Sequence, residues 1–281
     1  AGSNWYFLRY MMEGNDTKRY DVFVSEEAVK YWGQIDLYMG GAEHATGHLL
    51  YFRFITKVLH DLGYIPFNEP AKKLINQGMI QAEDGHKMSK RYGNVINPDD
   101  VIAEYGADAL RLHEMFLGPI EMHKPWNTKG IEGVSKFIRK LWRLYHDKNG
   151  SFSVEEEKAT KAELKALHKC IEKVTSDMER SNFNTSVSAF MITVNELSDL
   201  NCNKREILEP LAILVSCHAP HVAEELWSLL GNKKSISIAE WPNFNAEYLV
   251  DDQITYPVSV NGKTRFSIEL NAELSKAEIE Q

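Results

Sequence analysis

Two lysines separated by Met-Ser, Lys87 and Lys90, stand beside Arg91 in the stretch 83–95, EDGHKMSKRYGNV, with Gly85 and Gly93 on either side. A mobile ammonium next to a triphosphate stabilises the charge that builds on a departing pyrophosphate. Removing one well-placed donor of this kind costs roughly 3–4 kcal/mol of transition-state stabilisation. Lysine suits the task as a point charge on a flexible stem, and flanking glycines let a loop close and reopen. Taken without context, a solvated charged turn is the commoner fate of such a sequence. A second pair, His44 and His48, lies four residues apart and would share one helix face. That spacing also suits a metal, but a zinc protease carries glutamate directly after the first histidine, and that place is Ala45. No third ligand is evident in the sequence, so a metal hydrolase is disfavoured and no metal ligand is assigned.

The surrounding chain is ordinary in composition: 281 residues, 43% apolar and 26% charged, with a formal charge of −8. This length predicts two or more domains. The negative balance argues against a protein that coats nucleic acid without selectivity, while leaving room for a local basic face. Cys170, Cys202 and Cys217 are far apart, without zinc-ligand spacing, as expected of reduced thiols in a cytoplasmic protein. No apolar run approaches the roughly 20 residues that cross a bilayer, and no signal peptide is recognisable. The chain opens at AGSNWYFLRY inside an aromatic run and stops at SKAEIEQ as a helical pattern starts. The expectation is a piece of a longer protein.

The elements that would carry these residues follow from periodicity. QIDLYMGG (34–41) reads as a buried strand ending in Gly40-Gly41. Apolar residues at Leu49, Phe52, Ile55, Leu59 and Leu62, then Gly63, predict a helix with a glycine stop. KLINQGMI (73–80) reads as a second buried strand leading into the lysine loop. Strand, glycine turn, helix and strand is the grammar of a parallel α/β sheet, whose ligands sit beyond the carboxyl ends of the strands. NPDDVIAEYG is a compact helix with Asn97 as N-cap, Pro98 first and Gly106 last. Long amphipathic helices are then predicted over 128–147, 154–181, 184–200 and 204–230, a helical bundle. ITYPVSVNGKTRFSIEL alternates around Asn261-Gly262 and predicts a hairpin.

KMSKRYGNVINPDDVIAEYGADALR resembles, almost end to end, the signature loop and following helices of the class I aminoacyl-tRNA synthetases. DLYMGGAEHATGHLLYFRFITKVLHDLG is similar to the leucyl-specific form of the strand–helix unit that precedes it. AGSNWYFLRY, NQGMI, APHVAEELW and VNGKTRF follow the same pattern in order. Arg91 stands where serine is most common, and the link from Met79 to Lys87 is short where some relatives carry an insertion. The fold class implied is α/β plus all-α. Residues 1–125 would be the second half of a Rossmann-like catalytic domain, 126–245 an anticodon-binding-type bundle, and 246–281 the start of a small α+β domain.

The resemblance implies ATP-dependent attachment of leucine to its tRNA through a leucyl-adenylate, with Mg2+ on the ATP phosphates and no protein-bound zinc. Lys87 and Lys90 would clamp the phosphates, while Met88 and Ser89 shape the loop. Gly40 and Gly41 would let backbone approach the adenylate, and Glu43 would accept from ribose hydroxyls; its structural alternative is a first-turn acid on the helix dipole. His44, Gln77 and Met79 would lie near the adenylate. Ser3, Tyr6, His44 and His48 would wall the leucine side chain, where ordinary packing is the alternative for each. Lys136, Arg139, Lys140 and Arg143 recur on one helix face and would meet tRNA backbone rather than bases. The protein is expected to act as a monomer off the membrane.

The family also uses an H-x-G-H motif for the ATP phosphates. HATGH (44–48) has one residue too many, and HAPH (218–221) has proline for glycine, so the motif is absent from this sequence. The 281 residues alone are therefore expected not to activate leucine. HAPHVAEELWSLLG is read as a core-forming bundle helix, so His218 and His221 are assigned no chemistry. A valyl or isoleucyl sibling is the nearest rival, disfavoured by Glu43-His44; a non-catalytic RNA-binding module would leave the lysine loop without a purpose.

Overall fold

Local signals in the sequence set most of the element boundaries, and packing sets the rest. The computed structural model describes residues 2–12, 20–250, 253–260 and 263–271. In chain order they form α1 (Tyr6–Tyr10), α2 (Glu26–Trp32), β1 (Ile35–Gly41), α3 (Leu50–Asp61), β2 (Ala71–Gln77) and β3 (Ile80–Gln81). Then come α4 (Pro98–Tyr105), α5 (Ala107–Phe116), β4 (Lys124–Pro125), α6 (Thr128–Leu144), α7 (Lys161–Glu179) and α8 (Phe183–Asp199). The chain continues through α9 (Arg205–Ser216), α10 (Pro220–Leu229), β5 (Gln253–Val260) and β6 (Lys263–Asn271). No helix among the described residues is long and apolar enough to cross a membrane.

The chain divides into two compact units, Ala1–Asp100 with Leu117–Lys129, and Val101–Phe116 with Gly130–Gln281. In the first, β1 and β2 pair in parallel from Ile35↔Ala71 to Gly41↔Gln77. Phe7, Leu8, Val29, Leu49, Phe52 and Ile65 form its core, against which Ile35 and Tyr38 pack. The sequence predicts both strands to be buried; they are not, since Leu37, Met39 and Leu74 are each more than 40% exposed. A parallel strand is buried when helices cover both faces, and among the described residues only Ile35 and Tyr38 of β1 pack against this core. The helix predicted after Gly41 is preceded by a 3-10 turn (Ala42–His44) and a π-helical turn (Ala45–Leu49) before α3 begins. Such wide turns insert one extra residue into a helix and recur at functional sites. Gly63, at φ 77°, ends α3 as expected.

α4 begins as the sequence predicts, with Asn97 Oδ1 accepting from Asp99 N at 3.2 Å. Gly106, at φ 90°, turns the chain into α5. That helix belongs to the second unit, where Leu112 is buried with Leu141, Ile171, Phe190 and Leu211 in the bundle core. Two helix predictions need correction. The span 154–181 is helical only from Lys161, because a Thr160/Glu163 capping box starts the helix there. Glu155 instead pairs with the segment before α9, through Glu155 N to Asn203 O and Arg205 N to Glu155 O, each 2.9 Å. The span 204–230 is two helices, α9 and α10, because Ala219 leaves helical geometry at φ −127°, ψ 72° just before Pro220. The predicted hairpin is present as antiparallel β5 and β6, closing at Val260↔Lys263; its turn residues Asn261-Gly262 lie outside the described residues.

Candidate active site

All the residues with candidate chemistry, the basic face of α6 apart, fall in the first unit. The parallel register sets Gly40 beside Asn76 and Gly41 beside Gln77 at the carboxyl ends of β1 and β2. Glu43 folds back over this end: a Cβ at Gly41 would stand 2.1 Å from Glu43 Oε2, so only glycine leaves the carboxylate its place. Glu43 and His44 are both exposed, with His44 Nε2 3.9 Å from Glu43 Oε1. Gln77 is exposed and Met79 half-buried on the segment that follows.

Around the wide turn an aromatic wall forms. His48 stacks on Phe52 (centroids 5.2 Å, interplanar 22°), and His44 meets His48 edge-on at 6.5 Å. Tyr6 OH donates to Tyr38 OH at 3.3 Å, and the Tyr38 hydroxyl lies 2.8 Å from His48 Nε2. The three side chains thus form one chain of polar contacts, Tyr6 to Tyr38 to His48. Burial, reinforced by the bond from Tyr6, pushes the Tyr38 phenol up to about 12, so it stays a donor. Tyr38 and Phe52 are members of this wall that the sequence reading did not single out; the signal for Tyr38 was an aromatic on the strand leading to Gly-Gly. Ser3 is exposed in the Gly2–Asn4 turn, which packs against α3 and the π turn; no direct bond joins Ser3 to the wall.

The lysine loop is rooted next to Gln77. Gly78 N donates to Ile120 O at 2.7 Å, and a Cβ there would strike Met122 O at 2.0 Å. Met79 N donates to His123 Nδ1 at 2.8 Å, and β3 pairs in parallel with β4 through Ile80↔Lys124. The chain then turns at Gly85 (φ 79°) and returns, so that Lys87 bridges to Gln81. Glu83 accepts from both the amide and the hydroxyl of Thr128, at 3.3 and 2.8 Å, and these bonds hold its carboxyl below the usual range. Ser89 Oγ accepts from Arg91 N at 3.2 Å. Lys87 and Lys90 are exposed, with Met88 half-buried between them. His123, Glu83 and Thr128 come from places the sequence could not link.

In the second unit, Lys136, Arg139 and Arg143 are exposed along α6. Lys140 is drawn toward α8, where its ammonium donates to Asn195 Oδ1 at 2.7 Å. Arg139 bonds back to Ser135 O and Oγ, both at 3.3 Å. His218 is fully buried, as its packing assignment requires.

Two families match. Residues 24–121 fit "tRNA synthetases class I (I, L, M and V)" and residues 161–281 fit "Anticodon-binding domain of tRNA ligase". The leucine–tRNA ligase of Christiangramia forsetii is 48% identical over the whole of this chain, which covers 36% of that protein. That of Chlorobaculum tepidum is 51% identical over 99% of the chain and 34% of its own length. Among solved structures, the Agrobacterium radiobacter LeuRS–tRNA–LeuAMS ternary complex superposes with a TM-score of 0.78 at 34% identity, covering 99% of this chain and 36% of that one. Mycobacterium tuberculosis methionyl-tRNA synthetase bound by methionyl-adenylate shares the fold, with a TM-score of 0.56 at 17% identity over 78% of this chain and 48% of that one. The chain thus spans about a third of the length of the curated relatives it matches, 36% in the first of them.

Proposed function

We propose that this chain, which fits the class I tRNA synthetase and anticodon-binding models over two stretches and is matched from end to end by leucine–tRNA ligases, forms part of the leucyl-adenylate site of such a ligase. The substrates are leucine, ATP carrying Mg2+ on its phosphates, and a leucine tRNA. Leucine's carboxylate attacks the α-phosphate, pyrophosphate leaves, and the acyl group passes to the terminal ribose of the tRNA. In this reading Lys87 and Lys90 take the phosphates, while the Gly40-Gly41 backbone and Glu43 take the ribose. His44, Gln77, Met79, Met88 and Ser89 border the adenylate, and Ser3, Tyr6, Tyr38, His44 and His48 enclose the leucine side chain. Catalysis by such a site is positioning and electrostatics. The bundle, through Lys136, Arg139, Lys140 and Arg143, meets the tRNA backbone, and the protein works as a cytoplasmic monomer.

The observation that carries the proposal is the register Gly41↔Gln77: it sets the Glu43 turn beside the strand whose continuation, within a few residues, becomes the lysine loop. A calorimetric titration of the chain with a non-hydrolysable leucyl-adenylate analogue tests it. Binding that falls about tenfold with Glu43→Gln, in line with a lost charged hydrogen bond, and that is weaker for the valyl analogue, is the expected result. Equal binding of both analogues sinks the leucine assignment. Leucine-dependent ATP–pyrophosphate exchange is expected of the full-length protein and not of these 281 residues alone, which contain no H-x-G-H.

A further inference from the structure

The lysine loop carries a device that its own charges do not explain. After Ser89 the backbone makes a single turn, with Tyr92 N donating to Ser89 O at 3.0 Å and Gly93 N to Lys90 O at 3.4 Å. Gly93, at φ 64°, then reverses the chain in a conformation that L side chains rarely adopt. The reversal brings Asn94 back over the loop. Its Oδ1 accepts from Ser89 N at 2.8 Å, and its Nδ2 reaches Lys87 O at 3.5 Å.

We infer that Asn94 is a positioning residue for the phosphate-binding lysines. The carbonyl of Lys87 and the amide of Ser89 flank Met88, and one carboxamide presents the donor and the acceptor that this pair requires. Aspartate supplies only the acceptor and would set a carboxylate against the Lys87 carbonyl. The grip is on the backbone alone, so the ammonium groups of Lys87 and Lys90, both exposed, stay free to follow a phosphate. A loop tethered in this way starts close to its working geometry and loses less freedom when it closes. The inference rests on the ligase reading and deepens it: Asn94 touches no substrate and acts through the lysines.

The test uses the full-length protein with Asn94→Ala, which removes both bonds, and Asn94→Asp, which keeps the one from Ser89 N. Brief trypsin treatment, with peptides after Lys87, Lys90 and Arg91 quantified by mass spectrometry, reads the loop itself. Cleavage is expected to be fastest in Asn94→Ala and intermediate in Asn94→Asp, with thermal midpoints unchanged. In ATP–pyrophosphate exchange, kcat is expected to fall roughly 10- to 100-fold in Asn94→Ala, the scale of a misplaced catalytic group, while KM for leucine stays the same. Cleavage equal to that of the parent protein overturns the inference, as does a KM for leucine that rises with kcat unchanged. A parent protein without exchange activity whose variants still show the cleavage order would instead overturn the ligase reading.

Discussion

Asp108 on α5 and His221 on α10 meet across 113 positions of sequence, with Asp108 Oδ1 2.8 Å from His221 Nδ1. The same carboxylate accepts from His221 N at 3.2 Å and Val222 N at 2.6 Å, so one helix supplies the N-terminal cap of another. The Asp108 side chain is 9% exposed and that of His221 71%, which makes the backbone bonds the larger share of the link. Asp108→Ala is expected to cost about 2 kcal/mol, the upper end for a lost cap, and to strip hydrogen-exchange protection from the Val222 amide. His221→Ala should cost under about 1 kcal/mol and leave that protection in place. Urea unfolding with amide exchange separates the two; equal costs would show that the side-chain contact, not the cap, holds the helices.

Two glycines near the site should behave in opposite ways. At Gly78 a new Cβ strikes backbone, Met122 O at 2.0 Å, which can move only by parting the Gly78–Ile120 and Met79–His123 bonds. Gly78→Ala is expected to lose roughly 1–3 kcal/mol, as overpacking usually does. At Gly41 the Cβ meets the tip of Glu43, which can swing into solvent. Gly41→Ala should therefore melt within a degree or two of the parent, yet bind the adenylate analogue more weakly if Glu43 holds the ribose as proposed. Thermal melts paired with calorimetry decide both, and a Gly41→Ala protein with parental affinity would remove Glu43 from the site.

These contrasts mark where sequence stops being sufficient. The lysine loop, the Asn97 cap, the hairpin and the glycine stop at Gly63 are local, decided within a few residues, and they were legible. The split between α9 and α10 had a local signal too, Pro220, but the apolar period runs through it, and Asp108, which caps the second helix, lies more than a hundred residues upstream. The start of α7 had a local signal, Thr160 three residues before Glu163, which the long amphipathic pattern hid. Tyr38 looked like any strand aromatic until the wide turn brought His48 to its hydroxyl. The exposure of Leu37 and Leu74 depends on which layers flank the sheet, and no periodicity within a strand records that.

The basic face of α6 gives a prediction that separates tRNA binding from adenylate formation. Arg139 and Arg143 are exposed, whereas Lys140 is held by Asn195. In the full-length protein, Arg139→Glu with Arg143→Glu should weaken tRNA binding at least tenfold. The slope of log affinity against log salt should shrink by about 1 for each phosphate that is no longer neutralised. Leucine-dependent exchange should be unaffected, and Lys140→Glu should weaken tRNA binding less than either arginine change. Filter binding across a salt series measures all of these. Parallel loss of exchange and tRNA binding would mean that the substitutions disturb the fold rather than an RNA interface.

His218 makes the bundle sensitive to acid. It is fully buried, set edge-on to Phe190 at 5.1 Å and Phe183 at 6.2 Å, and neither ring nitrogen has a partner in hydrogen-bond geometry, although the Phe183 backbone approaches. Burial pushes its pKa down to about 4, and the Arg111 guanidinium, which donates to the His218 and Cys217 carbonyls, adds to the effect. Below the ordinary histidine value near 6.5 the unfolded chain takes up a proton that the folded one refuses. Stability is then full above about pH 6.5 and falls as pH drops toward 4, by up to about 3 kcal/mol. His218→Phe removes the titrating group and should flatten that slope between pH 6.5 and 4, whatever its effect at neutral pH. Urea midpoints of parent and variant at pH 7, 6 and 5 measure the difference, and slopes that match would place the acid sensitivity elsewhere in the chain.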